Sequence, residues 1–95
     1  MPKIDNYRFK IVFKNHLYPR ERGLESYTDF LSVAVDRITR HLTEEGDQCK
    51  VFVQPSQRQL IAFKRTNGMI RAFDKDATST ESEYLEAFLS HESDI

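Results

Sequence analysis

Apolar and polar residues alternate with period two along residues 6–14, Asn-Tyr-Arg-Phe-Lys-Ile-Val-Phe-Lys. Tyr7, Phe9, Ile11 and Phe13 fall on one side, and Arg8, Lys10, Val12 and Lys14 on the other. That pattern predicts a half-buried β-strand. The alternation stops over 15–25, where Tyr18-Pro19 disfavours helix before the proline and Gly23 breaks the chain's regularity again. This stretch reads as a connection, longer than the usual four to six residues. Over 26–45 the period becomes helical: Tyr27, Leu31, Ala34, Ile38 and Leu42 form one stripe, widened by Phe30 and Val35. Ser26 and Asp29 have capping-box spacing, and Gly46 is a natural stop.

Period two returns in Gln-Cys-Lys-Val-Phe-Val-Gln, residues 48–54, a second strand ended by Pro55. Residues 59–65 and 69–74 flank Asn67-Gly68, the dipeptide that best supplies two consecutive positive φ angles in a tight hairpin. A two-residue turn there sets Thr66 opposite Met69, Lys64 opposite Arg71 and Ala62 opposite Phe73. It leaves Arg65–Ile70 and Phe63–Ala72 facing the other way. Thr80 and Glu83 repeat the capping-box spacing, and Tyr84, Leu85 and Phe88 give a short amphipathic helix over 81–90. Residues 91–95 are expected to fray as an acidic tail. The expected architecture is one α+β domain spanning 1–95 in the order β-α-β-β-β-α, a mainly antiparallel four-stranded sheet with two helices packed on one face. Phe9, Ile11, Leu31, Ile38, Val51, Phe63 and Phe88 are the expected core, with Cys49 on the core side of its strand.

Composition narrows the class. Ninety-five residues with 39% hydrophobic and 12% aromatic content can build one real core. No apolar run is long enough to span a membrane, so no membrane role is expected. Met1-Pro2-Lys3-Ile4-Asp5 lacks the apolar core of a signal peptide. Cys49 is the sole cysteine, which forbids an internal disulfide and suits a reducing, cytoplasmic setting.

Charge changes the picture most. Residues 1–73 carry 13 Lys/Arg against 8 Asp/Glu, a net of +5, while residues 74–95 carry 1 against 7, a net of −6. The overall −1 hides two electrical ends. By alternation, the outer sheet face collects Arg8, Lys10, Lys14, Lys50, Lys64, Arg71 and Lys75 and no acid. Val12, Phe52, Leu60, Ala62, Met69 and Phe73 lie among them. Lys64 opposite Arg71 is mildly unfavourable, so the face reads as a binding surface for an anionic partner. Its candidate residues are Arg8, Lys10, Lys14, Lys50, Phe52, Lys64, Arg71 and Phe73. An acidic protein surface suits it. So does single-stranded nucleic acid, with bases stacked on Phe52 and Phe73. The plainer alternative is the polar face that every one-sided antiparallel sheet shows to water.

Tyr18, Arg20 and Arg22 in the long connection are the second candidate surface, being of residue types enriched at interface hot spots. Arg37 and Arg40, with Asp36 and Glu44 at i,i+4 spacing from Arg40, suggest an exposed, salt-bridged helix face. His16, His41 and His91 lack ligand spacing, so no metal is expected. Only Gly23, Gly46 and Gly68 are present, so there is no glycine-rich phosphate loop and no cofactor is expected. No catalytic constellation stands out. The expected function is a small, non-enzymatic interaction module that modulates or inhibits a larger protein by occupying its surface, in the manner of the inhibitors and adaptors carried by mobile elements. Nucleic-acid binding is the alternative, and a homodimer is a further way to use the same surfaces.

Overall fold

The computed structural model describes residues 7–16, 24–54 and 56–89. They form β1 (Phe9–Lys14), β2 (Leu24–Thr28), α1 (Leu31–His41), β3 (Gln48–Val53), β4 (Arg58–Thr66), β5 (Met69–Lys75) and α2 (Thr80–Leu89). The strands make one antiparallel sheet in the order β2-β1-β3-β4-β5.

The sheet therefore has five strands where four are expected. The extra one, β2, takes the end of the expected connection and the start of the expected helix. It pairs along β1 with Phe9 opposite Thr28 and Phe13 opposite Leu24. Its own pattern is weakly apolar, because the inward positions are Leu24, Ser26 and Thr28 and the outward ones Glu25 and Tyr27. α1 consequently starts at Leu31, and its cap position is Phe30, which has no side-chain cap. The Ser26/Asp29 pair does not form a capping box. Asp29 Oδ1 instead accepts the Arg8 backbone N–H at 2.9 Å, and Ser26 Oγ accepts from Arg37 at 2.6 Å. At α2 the cap sits one residue earlier than expected: Ser79 Oγ accepts the Ser82 N–H at 3.2 Å.

Both helices cover the same side of the sheet. Ala34, Ile38, Leu42, Leu85 and Leu89 close over Phe9, Ile11, Phe13, Cys49, Val51, Ile61, Phe63 and Ile70 in one cluster. Burial pushes the Cys49 thiol pKa up, so it stays a neutral apolar filler. Phe88 is not part of this core: it is 62% exposed, and Leu89 takes the buried position beside Leu85. Leu31 is only partly buried.

The hairpin turn forms as its residues require, with φ 55° at Asn67 and 79° at Gly68. Pairing follows the expected register from Thr66–Met69 to Phe63–Ala72, then slips at a bulge, so that Ala62 faces Asp74 and Ile61 faces Lys75. Phe73 is the extra residue, and the expected Ala62–Phe73 pair does not form. A second irregularity lies between β3 and β4, where Val51 faces Ile61 but Phe52 faces Gln59. It turns Leu60, expected on the outer face, into the core.

Candidate functional site

The outer sheet face can be built row by row, because residues paired across antiparallel strands point to the same side. One row runs Lys14–Gln48–Lys64–Arg71 across β1, β3, β4 and β5. The next runs Glu25–Val12–Lys50–Ala62–Asp74, and a third Tyr27–Lys10–Phe52–Gln59. Neighbouring strands lie about 4.8 Å apart, so the first row spans about 14 Å.

These rows divide the expected basic residues into two groups. Lys14, Lys50, Lys64 and Arg71 are exposed, and among the described residues none of them forms an ion pair. Arg71 Nη2 lies 3.4 Å from the Met69 sulfur. Lys64 faces Arg71 directly, a like-charge pairing that the isolated fold gains nothing from. Arg8, Lys10 and Lys75 are engaged elsewhere. Arg8 Nη2 is 2.6 Å from Glu81 Oε2 at the start of α2, with its guanidinium carbon 5.2 Å from the centre of the Phe9 ring. Lys10 lies 3.9 Å from Glu25 and is mostly covered. Lys75 is turned by the bulge to the helix side, where its Nζ meets Glu86 at 2.6 Å. That carboxylate holds the Lys75 pKa above its usual value.

The face is not free of acid either, contrary to the four-stranded expectation. β2 brings Glu25 onto it, and the bulge brings Asp74, whose Oδ2 accepts from Gln59 at 2.8 Å. Both carboxylates are spoken for. Tyr27 OH donates to Glu25 at 2.7 Å. Burial first, then this hydrogen bond and the adjacent charge, push the Tyr27 pKa up to about 12, so the phenol remains a neutral donor. The two expected aromatics part company. Phe52 is half-buried between Lys10 and Gln59, while Phe73 is 53% exposed on its bulge. Ala62 is fully buried between the strands beside it.

A depression of about 380 Å³ opens in this face, lined by Val12, Lys14, Gln48, Cys49, Lys50 and Phe52. Its lining mixes apolar Val12 and Phe52 with two lysines, Lys14 and Lys50. Gln48 belongs to the site although no charge singles it out in the sequence. Its even-numbered position beside Lys50 and Phe52 is the signal that places it there. Tyr18, Arg20 and Arg22 lie outside the described residues.

No family model, curated protein or solved structure matches the chain. The geometry of the sheet face therefore carries the functional reading by itself. No described helix is long and apolar enough to cross a membrane, and no group of three or more His, Cys, Asp or Glu side chains converges among the described residues. What the face offers chemically is a set of exposed positive donors, three compact ammonium groups and one planar guanidinium, with Lys14 and Lys50 lining a shallow depression. Such an arrangement has the chemistry to take carboxylates or phosphates that flank an apolar group.

Proposed function

We propose that this chain is a small, non-enzymatic protein-binding module whose outer sheet face occupies an acidic surface of a larger protein and modulates or inhibits it. The observation that carries the reading is the cluster of Lys14, Lys50, Lys64 and Arg71, exposed on adjacent strands without an ion pair among the described residues. A fold with no use for that surface has nothing to gain from setting Lys64 against Arg71. Positive potential of this kind steers encounter with an acidic partner and fixes its register. Single strands of nucleic acid are the less favoured ligand, because they bind best where successive rings form a stacking platform. Here Phe52 is half-buried and Phe73 is displaced by a bulge.

The experiment is a pull-down from cell lysate with and without nuclease, comparing the wild type with Lys64→Glu/Arg71→Glu. A protein captured by the wild type, retained after nuclease and lost in the double variant, is the expected result. Co-purifying nucleic acid that the double variant loses would move the assignment to a nucleic-acid binder. Capture indifferent to the reversal would take the site off this face.

A further inference from the structure

Two surfaces on opposite sides of this molecule complement each other. α2 is anchored on the helix side of the sheet by Leu85 and Leu89, and by Ser82 Oγ, which donates to the Leu60 carbonyl at 2.7 Å. Its outward positions are Glu83, Tyr84, Ala87 and Phe88. The Tyr84 and Phe88 rings lie 4.7 Å apart, inclined at 39°, and Phe88 is 62% exposed. A tilted aromatic pair left in water beside Glu83 has the composition of a contact surface. On the far side of the sheet, the depression is lined by the apolar Val12 and Phe52 together with Lys14 and Lys50. One surface presents aromatic rings beside negative charge, and the other presents apolar side chains beside positive charge. Glu83 supplies the exposed carboxylate of the helix surface, since Glu81 and Glu86 pair with Arg8 and Lys75.

We infer that a second copy of this chain docks its α2 into the depression, with the Tyr84–Phe88 pair against Val12 and Phe52 and Glu83 between Lys14 and Lys50. The inference rests on the reading that the outer sheet face binds acidic protein surfaces, and it names one such surface. The contact is intermolecular, because the sheet itself separates the two surfaces within one chain. It is also head-to-tail: each copy gives its helix to one neighbour and its sheet face to another, so association grows into a ring or an open chain. A larger partner that takes the sheet face competes with this assembly.

Sedimentation velocity on the full chain tests it, over a concentration series at low and high salt. Two variants are compared, Lys14→Glu/Lys50→Glu on the sheet and Glu83→Ala/Phe88→Ser on the helix. All the substituted side chains are exposed, and circular dichroism checks that each variant folds. The wild type should gain mass with concentration and lose it at high salt. Each variant alone should be monomeric, with association weakened by more than about tenfold. An equimolar mixture of the two should form a dimer and nothing larger, since it restores one intact helix–face contact and blocks both ends. A wild type that stays monomeric at every concentration overturns the inference, as does a mixture that fails to complement. If capture of another protein still depends on Lys64 and Arg71 in that case, only the self-association falls. If that dependence is missing too, both readings fall.

Discussion

Asp47 is 2% exposed, and its carboxylate gathers three backbone donors: His16 at 2.9 Å, Thr43 at 3.1 Å and Glu44 at 2.9 Å. The His16 ring nitrogen Nδ1 stands 3.1 Å from its other oxygen. One side chain thus ties the end of β1 to the turn that leaves α1. Burial by itself would raise the Asp47 pKa, but the donors from Glu44, His16 and Thr43 outweigh it and hold the carboxyl below its ordinary value. A folded pKa below the unfolded one means that the contribution to stability is complete above about pH 4 and is lost as pH falls through the folded value. Asp47→Asn should therefore lower stability at neutral pH by about 1–3 kcal/mol. It should also flatten, without abolishing, the loss of stability on acidification, because Asp76 is held low as well by its hydrogen bonds with Thr78. Urea midpoints measured from neutral pH down into the acid limb check both. An acid limb as steep as the wild type's would contradict the role given to Asp47.

Among the elements, β2 is the one whose existence depends on a partner. Its inward face offers only Leu24, Ser26 and Thr28, too little to hold an edge strand by burial. Arg37 supplies the rest. From the side of α1 it donates to Ser26 Oγ at 2.6 Å and to the Tyr27 carbonyl at 2.8 Å. In the sequence it looks like half of an exposed charged stripe with Arg40. Only Arg40 behaves that way, 3.2 Å from Asp36. Arg37→Ala should cost about 1.5–3 kcal/mol, the range for hydrogen bonds to a charged donor. The loss should be local first: amide exchange in Leu24–Thr28 should accelerate well before that of β3 and β4. Uniform acceleration across the sheet would show that β2 has no separate opening and would remove this account of Arg37.

For the molecule as a whole, the proposed binding role of the outer face would set stability against recognition. Lys64 and Arg71 sit directly opposite each other on β4 and β5. Lys64→Glu turns a like-charge pair into an opposite one, which should raise stability by up to about 1 kcal/mol while weakening capture of an acidic partner. Thermal melting and the pull-down read the two effects separately. A variant that melts lower than the wild type would mean that the repulsion across this pair is not felt in the folded state.

Much of this protein is legible along the chain. The alternation of β1, the helical stripe of Ala34, Ile38 and Leu42, the Asn67-Gly68 turn and the pairing of Lys64 with Arg71 all derive from local periodicity and turn chemistry. Both are properties of neighbouring residues, and the structure holds them as read. What the tertiary structure alone decided is everything that depends on a contact between distant residues. β2 exists because β1 offers it a free edge and Arg37 reaches it from α1, and its arrival puts Glu25 beside Lys10. Two bulges move Leu60 into the core, Phe73 out of register and Lys75 to the helix side, since one added residue reverses the facing of every later position in the strand. Phe88 and Leu89 are adjacent and both apolar. The rotation at which α2 settles on the sheet, locked by Ser82 and Leu85, chooses which of them is buried.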